Sequence, residues 1–330
     1  LKTSLGAITV FAACVLCSCA KEAERQVTIA MLEGNPAYLE AGEGFKARLA
    51  ALGYPEGGRC SLVRFSAMGK SAEEAAALQA IEALKPDLIF AYPTGSAVAA
   101  KPVAERLGAP LVFAVTVLKG SGLIEGSLMA PGGLVTGVQV PGPDGAVKRL
   151  ELLMEIAPGI KRALVAYEPG YGSKDAAMAL LREASGVNGI ALIERTIASV
   201  EGLKVAIAGL PGKGSAAAPD CVVLLPDAIT MGEGWPLLEG YAEAAGIPVA
   251  GLTEANVEEG AVLAYLADLY ETGALAADAA ARILAGAPPG GIPVGTSPGK
   301  LVVNEKAAAR LGLSIPPSVR ALAKRIVRDD

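Results

Sequence analysis

Short aliphatic and β-branched runs alternate with amphipathic stretches along this chain, and the alternation is made twice. A strand that must be re-entered in parallel needs a crossover, and helices are the usual crossover, so this pattern predicts parallel sheets covered by helices. In the first unit, strands are expected at Val27–Leu32, Cys60–Phe65, Leu88–Ala91, Leu111–Ala114 and Val135–Val140. Between the first two, Tyr38, Ala41, Phe45, Leu49 and Leu52 share one helical face, and Gly53 is placed to end that helix. Ser71-Ala72-Glu73-Glu74 has the spacing of a capping box for the second helix, which Pro86 closes. Thr94-Gly95-Ser96 opens the third, and Pro102 predicts a kink or break inside it. A glycine-rich loop through Gly120 to Gly133 leads to the last strand, and Pro141-Gly142-Pro143 then marks a crossing into a second unit. There the strands are expected at Ala163–Ala166, Ile190–Glu194, Val222–Leu225 and Pro248–Ala250, with helices near Lys174–Ala184, Val200–Leu210 and Leu237–Ala245. Two units of similar order predict an α/β protein of two doubly wound parallel-sheet lobes joined by a hinge, with about four strands each.

The N-terminal stretch is of another kind. Leu5–Leu16 is apolar, too short to span a bilayer, and ends in Cys17-Ser18-Cys19. This resembles a bacterial lipoprotein signal, in which the cysteine after the cleavage point is acylated; that cysteine would be Cys19, although Cys17 is an uncommon residue two places before it. A buried apolar helix or strand is the plainer alternative, but the polar Lys21–Gln26 run that follows reads as a tether. Residues 1–19 are therefore expected to be a signal with a lipidated cysteine and 20–26 a tether. No later run is long and apolar enough for a membrane span.

Composition closes several routes. The chain has no histidine, which removes Ser-His-Asp and Cys-His nucleophile activation, histidine metal sites and the commonest neutral-pH general base. No catalytic residue, metal or cofactor is expected. A net charge of −5 with scattered lysines and arginines offers no basic stripe for nucleic acid. Outside the signal only Cys60 and Cys221 remain, each in an apolar strand-like run; the spacing leaves a disulfide open, and the apolar setting favours two buried thiols.

Doubly wound sheets bind ligands beyond the C-terminal ends of their strands. The residues there are Asn35; Thr94, Gly95 and Ser96; Thr116; Tyr167, Tyr171 and Gly172; Asp227; and Thr253 with Glu254. The N-terminus opened by Thr94 and Ser96 favours an anion such as a carboxylate, unless those hydroxyls serve their own helix. Asp227 and Glu254 are candidates for a ligand ammonium, or else solvated loop acids. Gly170-Tyr171-Gly172-Ser173 lacks the spacing and lysine of a P-loop. Trp235, the sole tryptophan, is expected to pack within its own lobe.

At this point the chain resembles the ABC-importer substrate-binding lipoproteins of the tryptophan/tyrosine-type group. The matching landmarks are Gly44-Phe45-Lys46, Leu52–Gly57, Lys85-Pro86-Asp87-Leu88-Ile89, Ala109–Thr116, Gly246-Ile247-Pro248-Val249, Leu301-Val302-Val303-Asn304 and Ala308–Leu313. Pro131-Gly132-Gly133-Leu134-Val135-Thr136-Gly137-Val138 is similar to that family's P-G-G-N-V-T-G-V segment, with Leu134 replacing its asparagine. The resemblance implies a type I periplasmic-binding-protein fold with three crossings, lobe 1 spanning 27–140 with 265–290 returning to it, and lobe 2 spanning 141–264 with 291–330 returning. It implies an exported, membrane-anchored monomer that captures a small ligand, an amino acid or similar, for an ABC permease and does no chemistry. A receptor for a sensor kinase or chemoreceptor is the alternative, and an exported α/β enzyme a more distant one. The loop Leu252–Asn256 carries one carboxylate where the family often has aspartates, so the ligand is not carried over.

Overall fold

The computed structural model describes residues 26–67, 70–140, 142–170, 172–212 and 214–328. Cys19, nearly all of the tether and Tyr171 lie outside the described residues.

The first lobe alternates β1 (Val27–Glu33), α1 (Leu39–Ala51), β2 (Cys60–Ser66), α2 (Ser71–Leu84), β3 (Leu88–Tyr92), α3 (Thr94–Leu107), β4 (Leu111–Val115) and β5 (Val135–Gln139). In the second come α4 (Gly145–Ile156), β6 (Arg162–Tyr167), α5 (Gly172–Val187), β7 (Ala191–Thr196), α6 (Val200–Ala208), β8 (Cys221–Val223), α7 (Ala228–Met231), α8 (Trp235–Ala245), β9 (Val249–Gly251), α9 (Glu254–Glu259) and β10 (Leu263–Ala267). The chain then gives α10 (Leu269–Leu284) and β11 (Gly295–Thr296) to the first lobe, and β12 (Gly299–Asn304), α11 (Glu305–Arg310), α12 (Pro317–Leu322) and β13 (Ala323–Val327) to the second.

The two sheets have strand orders β11-β5-β4-β3-β1-β2 and β13-β12-β10-β9-β8-β6-β7. They hold six and seven strands: β11 joins the five strands expected in the first unit, and β10, β12 and β13 join the four expected in the second. All pairings are parallel except β10 with β12. β3 and β4 are buried along their whole length, as befits strands covered on both faces.

The two crossings after the first lie at Asp268 and at 297–298. Tyr265 is therefore inside β10 of the second sheet, and the first lobe regains 269–296 rather than 265–290. Two local expectations also differ. Ser71 is the first residue of α2, with Lys70 at the cap and no side-chain cap bond, so no capping box forms. Pro102 sits within α3 without ending it, the helix running on to an αL cap at Gly108. Cys60 and Cys221 are free buried thiols in different sheets. Trp235 packs, 5% exposed, in the core of the second lobe beside Leu203 and Leu238.

Candidate functional site

The strand ends of both sheets face the crossings, and a cavity of about 300 Å³ lies there. Tyr38, Thr116 and Val117 form its first-lobe wall, while Arg149, Pro226, Leu252 and Tyr265 form the opposite wall. Between the walls lie Gly142 with Pro143 of the first crossing and Leu266 with Ala267 at the end of β10, just before the second. An adjoining groove of about 380 Å³ shares Leu266 and Ala267 and opens between Pro36, Leu39 and Glu40 on one side and Glu254 and Lys300 on the other.

Local chemistry sets each wall. Tyr38 closes the short turn before α1 and hydrogen-bonds Thr116 Oγ1 at 3.2 Å; burial pushes its phenol up despite that bond. The Thr116 and Val117 N–H groups both donate to Thr94 Oγ1 at 3.2 Å. Thr94 thus braces the wall from behind. A Cβ on Gly142 would stand 2.9 Å from Thr116 O, so glycine lets the first crossing approach the end of β4. A Cβ on Gly299 would meet the Tyr265 ring at 1.9 Å, so glycine there seats the tyrosine.

Arg149 is the unusual member. It is 3% exposed, and its guanidinium donates to Leu224 O at 3.1 Å and Tyr265 O at 3.0 Å. Both partners are neutral carbonyls. Burial holds the guanidinium well below the usual arginine range, only partly offset by the more distant Asp144. A buried cation solvated by neutral oxygens attracts an anion wherever one can reach it.

The structure brings few of the sequence-expected residues to this cavity. Thr116 lines it. Asn35 and Gly95 are exposed, and Gly172 is the first residue of α5. Ser96 is buried against Gly34 and donates to Glu74 Oε1 at 2.5 Å, so the α3 N-terminus serves its own lobe. Tyr167 lies in the second-lobe core, its hydroxyl donating to Glu194 at 3.3 Å and accepting from Arg182 at 3.1 Å. Thr253 caps α9 in a reciprocal box with Asn256. Asp227 is 1% exposed and accepts Lys174 Nζ at 2.9 Å. Glu254 lines the groove but is paired with Lys300 and Arg325. The two acids assigned to a ligand ammonium are therefore already neutralised.

Sequence reasoning missed Tyr38, Arg149 and Tyr265. One signal for Arg149 was present: it shares the helical face of Ala146, Leu150 and Leu153, where a cation is out of place.

The pattern of the ABC transporter substrate binding protein family matches residues 26–327, nearly the whole described chain. The chain belongs to that family. Among curated relatives, a tyrosine-binding protein of Clostridioides difficile is 26% identical over 286 residues, covering 86% of this chain and 79% of the relative. A ligand-free, open substrate-binding protein with adhesive properties from Clostridium difficile superposes with a TM-score of 0.78 at 25% identity, covering 92% of this chain and all of the other. The Streptococcus pneumoniae ABC domain solved with L-Trp superposes at 0.71 with 22% identity, again over 92% and 100%. This substrate-binding protein has the two-lobed type I periplasmic-binding-protein fold, and its relatives bear out the resemblance drawn from sequence.

Proposed function

We propose that this substrate-binding protein captures an aromatic amino acid, or a carboxylate of similar size and shape, in the cavity between Tyr38 and Arg149 and delivers it to an ABC permease. The observation that carries the reading is the buried Arg149 guanidinium, hydrogen-bonded to two neutral carbonyls and to no carboxylate among the described residues, in the wall of an interlobe cavity. Its charge suits a ligand carboxylate. Tyr38, Tyr265, Leu252, Pro143 and Pro226 suit an apolar or aromatic body. The two relatives bound to, or named for, tryptophan and tyrosine point the same way. The protein does no chemistry; ligand contacts from both lobes stabilise a closed population, and closure is the signal to the permease. In this reading the chain is exported and held at the membrane surface by acylation of Cys19.

A thermal-shift screen of the twenty amino acids and their carboxylate analogues tests the ligand. A true ligand at about 100 times its Kd raises stability by about 2.7 kcal/mol, a visible rise in Tm. A flat screen across the aromatic compounds removes the reading. For the anchor, Cys19→Ala is expected to abolish acylation and release the protein from membranes; an unacylated, soluble wild-type product overturns that part.

A further inference from the structure

Arg149 is the buried cation of this wall, and among the described residues the buried or half-buried acids near it are already paired, while Asp144 and Glu40 stand exposed to solvent. Asp227 follows Pro226 of the wall, yet its Oδ2 accepts Lys174 Nζ and the Glu168 N–H, while its Oδ1 accepts the N–H groups of Ile229 and Thr230. Glu168 also accepts from Lys174, at 3.2 Å. Lys174 is itself buried, 3% exposed, so a primary ammonium of the protein occupies the place a ligand ammonium would need. Glu254, two residues beyond Leu252 of the wall, is held by Lys300 and Arg325. Asp144, beside Gly145 of the cavity, is exposed and accepts the Gly142 N–H. Glu33, at the end of β1, is shared among Tyr92, Ser66 and Arg64. Glu40 is exposed and lines the groove rather than the cavity.

We propose that the cavity recognises a carboxylate and an apolar body and gives no reward to an α-ammonium. Its ligand class is then amphipathic monoanions, including arylalkanoic, 2-hydroxy and 2-oxo acids, with the matching amino acids bound no more tightly. A zwitterion brings its ammonium, stripped of water, into a space that Arg149 lines and whose buried acids are already paired, the remaining acids Asp144 and Glu40 being solvated at the surface. A monoanion supplies the one charge the wall lacks. This inference rests on the reading that the cavity is the ligand site, and it specifies the substrate class of that site.

The test is calorimetric titration of the wild-type chain with three compounds sharing one side chain: L-tyrosine, 3-(4-hydroxyphenyl)propanoate and tyramine. The expected result is that the propanoate binds at least as tightly as L-tyrosine and tyramine does not bind. L-tyrosine binding more tightly than the propanoate by more than the error of the titration overturns the inference and leaves the ligand site standing; a carboxylate receiving the ammonium would give about tenfold or more. Tyramine binding also overturns it. If none of the three binds, and none of the tryptophan counterparts does, the ligand-site reading falls and the inference with it. Arg149→Gln, checked for native fold by circular dichroism, separates the two further. The propanoate affinity is expected to drop at least about tenfold, and an unchanged value places the ligand elsewhere.

Discussion

Arg149 does two things at once, bracing main-chain oxygens of Leu224 and Tyr265 and presenting charge to the cavity. Arg149→Lys keeps the charge and loses the planar fork, so it is expected to bind carboxylates more weakly than wild type but better than Arg149→Gln, by titration. Asp227 makes a second prediction. Burial pushes its carboxyl up, but the Glu168 N–H, Lys174 and the Thr230 N–H outweigh that and hold it below the ordinary aspartate range. A carboxyl depressed in the folded state contributes stability above its unfolded value, near pH 4, and loses it as pH falls through the lower folded value. Asp227→Asn should therefore lower Tm at neutral pH and flatten the fall in Tm below about pH 4. An unaltered acid limb counts against the ion pair as a source of stability.

At the scale of elements, the contact between α1 and α10 is the tightest. A Cβ on Gly44 would stand 1.9 Å from Tyr270 O, and one on Gly273 1.8 Å from Ala41 O, so two glycines let the helix backbones touch. Phe45 and Ala276 bury the apolar faces on either side of that touch. Gly273→Ala forces the helices apart and is expected to cost about 1–3 kcal/mol, seen as a lower denaturation midpoint. At Gly299, the added methyl of Gly299→Ala would push the Tyr265 ring toward the cavity and weaken binding with little change in Tm. The elements themselves were legible in the sequence, because strand and helix periods are local; every expected strand is present with ends shifted by a residue or two. The site was not. Rules about strand ends led to Tyr167, Ser96 and Asp227, whose side chains turn to their own lobe, whereas Tyr38, Arg149 and Tyr265 come from a short turn, a helix interior and a mid-strand position. They meet only because the lobes do, and no local period records that. The capping box failed for a similar reason: Ser71 and Glu74 have the spacing, but Glu74 is engaged by Ser96 of the next helix.

For the whole molecule, three short crossings between two separately cored lobes make a hinge, and the cavity lies at its base. Ligand binding is expected to shift the population toward closure, read as a smaller radius of gyration in small-angle scattering. Arg149→Gln should blunt that response, because it removes a contact made from the second lobe alone.

Neither lobe is a continuous length of chain. The first sheet waits for β11 at Gly295–Thr296, and α1 waits for α10, while the second sheet is finished only by β12 and β13. During synthesis, the polypeptide up to Gln139 has made five of the first lobe's strands but lacks the helix that covers Phe45. Contacts this distant in sequence make folding slow and late, since long loops close before they are rewarded. The delay has a physical consequence for the nascent chain: no half of it can settle into a finished domain while the rest is still being made.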